Sequence, residues 1–413
     1  MRMAQTDIMS VMEIPPMPNV RFVLLALASP LAALAPTAAA QDVWDDPGGV
    51  ETDVSFEGAL VVAPNADEVV LGLAKGGLSA NYVLSNGAII GAAGGLEAQY
   101  DNPARAGFAG VFPPIAGAGA SPGGAFSGLG RGDAREERDL RVSLETAYLY
   151  IDGGYGEARL GLDDGIATRF FEGGPLLFAH SGLVNPALDP SGQVIARTDH
   201  DLTGPAMKVS YASPRIIGLR AGVSYTPEAD RQGLDRDPAR DFPGTTRPEI
   251  EDAFEIALNL SRRLPESGVR LRAGAAYSQA DTRFLPDPTL YGTVETWSAG
   301  ASAEFSKFRI GGSYLASNNG SDRLAGDYSA WSVSAAVPFG KLEAVAEVAG
   351  AEDELAGLTS DSWQLGLAWK PLDAWRLAAG WRNVDTDFLN SAAPPPSTGG
   401  SRKGIVIEIT RSL

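Results

Sequence analysis

The chain contains no cysteine and only two histidines, His180 and His200. Without thiols it can form neither a disulfide framework nor a thiolate zinc site. Two histidines are too few for a histidine-rich metal centre, and a Ser-His-Asp hydrolase would have to use one of them. Both lie in a single long connection between predicted strands, so no histidine faces lipid as an outer-membrane lipase would require. We therefore expect no catalysis.

Long apolar runs are also scarce, and the longest lies near the N-terminus. After Arg21 the chain reads FVLLALASPLAALAPTAAA, an apolar core that ends in small residues. Two prolines interrupt it, and it is shorter than the roughly 20 residues that a membrane helix needs. We expect residues 1–40 to be an N-terminal extension and signal peptide that is removed, and 41–413 to be one exported domain. Such a chain could cross a membrane only as a closed β-barrel.

Residues 41–413 show strand-like alternation instead of helical periodicity. In the segment 250–262, for example, one face carries Phe254, Ile256 and Leu258. In the segment 138–151, alternation predicts one face for Leu140, Val142, Leu144, Thr146, Tyr148 and Tyr150. Sixteen segments of this kind are predicted as strands, at 51–62, 76–86, 88–101, 138–151, 155–163, 204–213, 215–226, 250–262, 268–280, 293–305, 308–317, 327–338, 340–349, 361–370, 374–384 and 403–413.

The predicted connections alternate between short and long. Short turns such as Asn86-Gly87 follow the even-numbered segments, and the longest connections are 102–137, 164–203, 227–249 and 385–402. Outer-membrane barrels have short periplasmic turns and long external loops. Sixteen strands enclose too wide a space for side chains to fill, so an aqueous channel is expected. The sequence therefore predicts an all-β transmembrane antiparallel barrel, with a soluble secreted glycan-binding β-protein as the alternative.

Two stretches carry a resemblance to a known family. ETAYLYIDGGYGEARLGLDDG (145–165) resembles the strand pair before the constriction loop of the Gram-negative general porins, and GPAMKVSYASPRIIGLRAGVSYTPE (204–228) resembles the pair after it, particularly in alphaproteobacterial members. The resemblance implies a homotrimeric, 16-stranded porin in the outer membrane of a Gram-negative bacterium, with a third external loop, about 164–203, folded into the lumen. It implies contact with lipid and lipopolysaccharide and folding by the barrel-assembly machinery, although members usually end in Phe and this sequence ends in Leu413.

Charged residues around this loop are the candidate constriction. The loop acids are Asp164, Glu172, Asp189, Asp199 and Asp201. By side-chain parity, the bases of the pore wall are Arg141, Arg159, Lys208, Arg220, Arg270, Arg272 and Arg309. Acids on a loop that face bases on a wall would order water and favour small hydrophilic solutes. The alternative is that these charges only solvate a wet surface.

Selectivity is less sharply predicted than the channel itself. The net charge of −18 favours cations, whereas arginines at a constriction would favour anions. We expect a diffusion channel with a cation preference, or else a substrate-selective channel on the same barrel. No cofactor or nucleic-acid partner is expected. Ca²⁺ is possible at acidic loop residues through hard oxygen ligands, namely Asp230, Asp235, Asp237, Asp241, Glu249, Glu251 and Asp252.

Four of the seven tryptophans follow one another at intervals of six residues, at Trp363, Trp369, Trp375 and Trp381. An even spacing places side chains within a strand on the same face. Aromatic residues form girdles where the outer surface of a barrel meets the membrane interface. We therefore predict that these tryptophans face lipid, with Trp369 and Trp375 on either side of a periplasmic turn.

Overall fold

A computed structural model describes most of the chain after the predicted signal peptide. The described residues are 49–66, 68–102, 111–112, 123–131, 136–137, 140–229, 233–236, 240–241, 247–284, 287–322, 325–389 and 402–413. Residues 1–40, Asp230 and Asp237 lie outside these ranges. Within them, no helix is both long and apolar enough to span a membrane.

Sixteen antiparallel strands form one closed barrel, which confirms the predicted fold class. Closure is made by the first and last strands, in which Glu57 pairs with Ser412 and Val62 with Ile407. The strands are β1 (Val50–Val62), β2 (Val70–Val83), β3 (Ile89–Tyr100), β4 (Leu140–Gly153), β5 (Gly156–Asp163), β6 (Ala206–Ala212), β7 (Leu219–Ala229), β8 (Glu249–Arg263), β9 (Arg270–Arg283), β10 (Val294–Glu304), β11 (Arg309–Ser317), β12 (Tyr328–Phe339), β13 (Leu342–Asp353), β14 (Leu358–Leu372), β15 (Trp375–Phe388) and β16 (Arg402–Ser412). The external loops add the short helix α1 (Ile166–Arg169) and the two-residue strands Val111–Phe112, Gly130–Arg131, Glu136–Glu137 and Arg240–Asp241.

The outer surface of the barrel is apolar. Phe254, Ile256 and Leu258 of β8 are 47%, 45% and 47% exposed, whereas the intervening Glu255 and Ala257 are buried inside. A surface of this kind facing water would be an aggregation site, whereas lipid covers it in a membrane barrel. The closed barrel with its apolar exterior therefore excludes the soluble alternative.

Strand β4 departs from simple alternation. A β-bulge lies where Gly95 pairs with Thr146 and Leu96 with Leu144, which leaves Glu145 as an extra residue. Beyond the bulge Leu149 is 62% exposed on the outside, and Tyr148 turns into the lumen. The prediction that Tyr148 and Tyr150 share a face with Leu140 was wrong, because a shift of one residue moves every later side chain to the opposite face.

Connection length alternates as predicted, with one exception. Strands β13 and β14 run further than expected, so only residues 354–357 join them on the side of the long loops. Strands β5 and β6 are the shortest, with 8 and 7 residues, whereas β8 has 15. The loop between β5 and β6 therefore leaves the wall part of the way up the barrel, which places it in the lumen.

Candidate channel constriction

The third external loop, residues 164–205, begins against the inner wall at helix α1. Ser224 Oγ of β7 accepts a hydrogen bond from Ile166 N at 3.0 Å, and Glu255 Oε2 of β8 accepts one from Ala167 N at 3.2 Å. Gly222 leaves room for Ile166, because a Cβ there would lie 2.4 Å from Ile166 Cγ1. These contacts fix the start of the loop on the wall of β7 and β8.

Further inward-facing glycines let the loop backbone lie on the wall. A Cβ at Gly274 of β9 would lie 2.3 Å from Phe170 O, and one at Gly300 of β10 would lie 1.9 Å from Glu172 O. Glycine in a strand commonly marks such a close approach of another backbone. Strands β9 and β10 therefore leave their inner surface free of side chains at these positions. A larger residue at either glycine would prevent the loop backbone from lying there.

A repeated sequence pattern marks part of this surface. RAGVSY, RAGAAY and RIGGSY begin at Arg220, Arg272 and Arg309, on β7, β9 and β11. The glycine of each contacts the loop, and the tyrosine five residues after the arginine is exposed on the outer face. The sequence-based prediction did not use this repeat, although its spacing of Arg-x-Gly-x-x-Tyr was readable without a structure.

The far turn of the loop is bound by a carboxylate of β16. Glu408 accepts hydrogen bonds from the N–H groups of Ala179, His180 and Ser181 at 2.6, 3.1 and 2.9 Å, and from the Ser181 hydroxyl at 2.9 Å. Glu347 of β13 accepts another from the N–H of Leu177. The loop thus spans the lumen between β7 and β16 and is fixed at both ends.

The returning segment carries Asp189 and His200, both fully buried. Asp189 accepts hydrogen bonds from Ser191 N at 3.0 Å and from Val194 N at 2.8 Å, so it folds the loop and does not face open water. The prediction that Asp189 is one of the constriction acids was therefore wrong. His200 lies between two serine hydroxyls of the wall, and burial lowers its pKa to about 3, which keeps the imidazole neutral.

The open passage lies on the other side of the loop, against β1–β4. It is a cavity of about 800 Å³. Among the described residues, two cations line it, Lys75 and Arg197. The carboxylates that line it are eight, namely Asp53, Glu57, Glu97, Glu145, Asp164, Asp199, Asp201 and Asp235. Three of these, Asp164, Asp199 and Asp201, were predicted from sequence. The wall acids of β1, β3 and β4 were missed, because a charged residue on the inner face of a strand does not reveal which part of the lumen that face lines.

Arg197 ties the loop acids to the external loop that follows β7. Its Nη1 lies 3.2 Å from Asp199 Oδ2 and 3.7 Å from Asp201 Oδ2, and its Nη2 pairs with Asp235. Burial alone would lower the pKa of Arg197, but the three carboxylates outweigh it and raise that pKa, so the guanidinium stays charged. The positive charge in the passage is therefore largely neutralised locally.

Two of the loop acids titrate near neutral pH. Burial, with the neighbouring Asp201 charge, raises the pKa of Asp164 to about 7. Burial raises the pKa of Asp199 to about 6, although the Arg197 charge opposes the shift. The negative charge of the passage therefore increases between pH 5 and pH 8.

None of the seven predicted wall bases lines this cavity. Arg141 is buried beside Gln99 at 3.3 Å, and Lys208 donates to Gly204 O at 2.8 Å. The remaining five, Arg159, Arg220, Arg270, Arg272 and Arg309, lie on β5, β7, β9 and β11. Loop acids opposed by wall bases were predicted, but carboxylates occupy both sides of the passage. Parity placed these seven bases on inner faces, and only the path of the loop decides which inner faces meet the passage.

Beneath the loop, two of these bases, Arg159 and Arg220, share one acid with Arg169 of the loop. Glu157 of β5 lies 2.5 Å from both Arg159 and Arg169 and 3.5 Å from Arg220. The fifth predicted acid, Glu172, accepts a hydrogen bond from Asn259 Nδ2 of β8 at 3.1 Å and does not line the cavity. These charges hold the loop to the wall.

A second layer of chain covers part of the loop. Phe126, in the described segment 123–131, is fully buried, with its ring centre 5.6 Å from that of Tyr328. The guanidinium of Arg236 lies 5.1 Å from the centre of the Phe126 ring, within the range of a cation–π contact. Two external loops therefore pack against the third one, and Asp235 of the loop after β7 also lines the open passage.

The four tryptophans lie on the outer face of β14 and β15. Trp363, Trp369 and Trp381 are exposed, and the guanidinium of Arg411 lies 5.3 Å from the centre of the half-buried Trp375 ring. Trp369 pairs with Leu377, close to the short turn at 373–374. This placement agrees with a girdle at the membrane interface.

Metal binding stays a prediction. In the described part of the chain, no three carboxylate or imidazole side chains are grouped so as to hold a metal ion. Two of the acids proposed for Ca²⁺, Asp230 and Asp237, lie outside that part. Of the others, Asp235 pairs with Arg197, and Glu249 and Glu251 pair with Arg283.

Known proteins share this architecture. The family model described as Gram-negative porin matches residues 26–367. The fold is similar to Salmonella typhi OmpF, solved with daunomycin, at a TM-score of 0.56 and 12% identity over 90% of this chain and 100% of that one. It is similar to an anion-selective porin from Comamonas acidovorans at 0.54 and 13%, over 88% and 100%, and to Pseudomonas putida OprB at 0.53 and 9%, over 88% and 94%.

No curated protein sequence matches the chain. The match to the family model nevertheless covers most of its length, and the sixteen-stranded barrel encloses an aqueous passage beside an inward-folded loop. The chain belongs to the Gram-negative porin family and is a diffusion channel of the outer membrane.

Proposed function

We propose that this porin is a general diffusion channel that prefers small cations and performs no catalysis. The observation that supports the preference is the lining of the passage, where eight carboxylates stand against two cations. A passage lined by one sign of charge concentrates ions of the opposite sign. The similar Comamonas barrel is anion-selective, so the fold alone does not produce a cation preference, and we infer the preference from the side chains of the lining.

Planar bilayers under a KCl gradient test this preference. The zero-current potential of the wild type is expected to show K⁺ passing faster than Cl⁻, and Asp53→Asn with Glu145→Gln is expected to reduce the ratio, because both acids line the cavity. Asp361→Asn, on the outer face of β14, removes the same kind of charge away from the passage. A wild type that passes Cl⁻ faster, or a double variant indistinguishable from Asp361→Asn, would contradict the proposal.

A homotrimer is the second part of the proposal. The outer faces of β1–β3 carry a patch of small residues between larger ones such as Leu78 and Leu96. The patch consists of Gly58, Ala74, Gly76, Ala80, Ala92, Gly94 and Ala98. Aromatic side chains such as Trp297 and Trp331 project instead from the outer faces of β10 and β12. A patch of small residues lets another barrel approach closely, whereas amphipathic aromatic rings suit the lipid interface.

The proposed trimer contact can be tested by introducing a large side chain into it. Gly76→Trp is expected to convert a heat-labile trimer to monomers on native gels, because the indole would project from the patch of small residues, where nothing lies within 4 Å of an added Cβ. Ala335→Trp, on the outer face of β12, is the matched control and is expected to leave the trimer intact. Lipid and lipopolysaccharide would then contact the remaining outer strands, and the barrel-assembly machinery would insert the protein.

A further inference from the structure

Beneath the constriction loop, the inner wall of β7–β11 carries a row of arginines. In each Arg-x-Gly-x-x-Tyr repeat the glycine touches the loop, so the arginine two residues earlier occupies the next inward position toward the periplasm. Arg272 holds this position on β9. One inward position further, Arg270 lies directly opposite Arg263 of β8. Three guanidinium groups of adjacent strands thus share one face of the periplasmic vestibule.

Their ionic partners are few. Glutamates pair with the arginines of the other two repeats, and Arg270 has one such partner, Glu304, at 3.3 Å. For Arg263 and Arg272, both exposed, no ion pair to a described residue is formed. The three cations are therefore offset by a single carboxylate.

This arrangement suits an anion with several oxygens. Like charges directly opposite each other across two strands are unfavourable unless something neutralises them. The planar guanidinium offers paired donors that match phosphate and carboxylate oxygens. Arg270 and Arg272 stand about 7 Å apart along the strand, at ~3.3 Å per residue, a separation that a polyvalent anion can bridge.

We propose that Arg263, Arg270 and Arg272 form an anion-binding subsite for phosphate-bearing solutes in the periplasmic vestibule. The subsite lies on a different wall from the acidic passage, which is bordered by β1–β4. It therefore adds a function to the proposed cation preference: the channel admits cations from outside and holds polyvalent anions that approach from the periplasm. Inorganic pyrophosphate is a suitable probe, because it carries several charges on a compact frame.

Single-channel recording with pyrophosphate on one side at a time tests the subsite. The native chain lacks cysteine, so Glu354→Cys in the external turn 354–357 reports orientation when a membrane-impermeant thiol reagent is added to one side. Pyrophosphate on the periplasmic side is expected to reduce the K⁺ current at an about tenfold lower concentration than on the external side, because charge-assisted bonds form only there. Equal reduction from both sides overturns the proposal.

Variants identify the residues. Arg270→Gln with Arg272→Gln is expected to remove the side dependence, whereas Arg262→Gln, one residue along β8 and on the opposite face, is expected to keep it. Arg272→Lys retains the charge without the paired donors and is expected to weaken the reduction several-fold. Side dependence that persists in the double variant, or that is lost equally in Arg262→Gln, overturns the proposal. A zero-current potential unchanged in the double variant separates this subsite from the cation preference, which rests on other residues.

Discussion

The two halves of the lumen carry different side chains at their inward positions. Among the described residues of β1–β4, the polar side chains that border open water are carboxylates and hydroxyls, with the single cation Lys75. On β7–β16 the inward residues include glycines, arginines and carboxylates that bind the third loop, as when Arg376 of β15 donates to Leu176 O at 2.8 Å and to Leu177 O at 2.5 Å. The second half forms most of the polar contacts that hold the loop, and the first half, although Val61 and Leu73 also pack against Phe178, lines the conducting passage. The position of a charge in the lumen therefore matters more than the net charge of the chain.

The largest effect is expected from Glu408→Leu, which removes the acceptor for the far turn of the loop. Three N–H groups and one hydroxyl lose their partner, and each unsatisfied buried group costs about 1–3 kcal/mol. We expect the turn to leave the wall and the single-channel current to fluctuate between levels. Thr410→Val, the next inward residue of β16 toward the periplasm, should leave the current steady. A steady current in both variants would show that the turn is held by other contacts.

A smaller effect is expected from Gly300→Val in β10. Because a Cβ at this position would lie 1.9 Å from Glu172 O, the side chain should push the loop from the holding half toward the conducting half. Conductance in 1 M KCl should fall. Gly154→Val, in the short turn between β4 and β5, is the control, since nothing lies within 4 Å of the Cβ that it adds. Equal conductance in the two variants would show that the loop does not lie against Gly300.

Selectivity should depend on pH through the conducting half. Asp164 and Asp199 have raised pKa values of about 7 and about 6, so both lose their negative charge as the pH falls from 8 to 5. The preference for K⁺ should fall over that range. In Asp164→Asn, the component of this fall that occurs near pH 7 should be absent. Carrying out the titration in His180→Asn removes the imidazole that lines the same cavity. A preference for K⁺ that is flat from pH 8 to pH 5 would contradict this assignment.

The smallest effect is expected in the holding half, from Arg169→Gln. Glu157 keeps Arg159 and Arg220 as partners, so the loss of one partly buried pair should lower the free energy of unfolding by about 1 kcal/mol. The zero-current potential should not change, because Arg169 does not line the passage. Thermal unfolding in detergent checks the loss of stability, and the bilayer measurement checks the zero-current potential. A zero-current potential that differs from that of the wild type would show that the wall that holds the loop also controls selectivity.

Strand number and sidedness were predictable because they follow from local chemistry. Alternation and turn residues located all sixteen strands in order, and the outward Phe254, Ile256 and Leu258 show that the assignment of faces was correct for β8. The Tyr148 face was missed because a bulge leaves no mark in an alternating pattern. Asp189 was placed with the constriction acids because sequence shows that a residue belongs to a loop but not which N–H groups its carboxylate will bind.

The sequence by itself determined a closed, sixteen-stranded channel of the porin type, because the period of side-chain direction and the chemistry of tight turns act over a few residues. Tertiary structure alone decided which wall the loop covers. That choice depends on Gly222, Gly274 and Gly300 of β7, β9 and β10, which meet the loop only when the folded barrel brings this wall against residues 166–172. By covering the wall of the arginines, the loop leaves water against the carboxylates of β1–β4, and this contact between distant parts of the chain determines the charge that a passing ion meets.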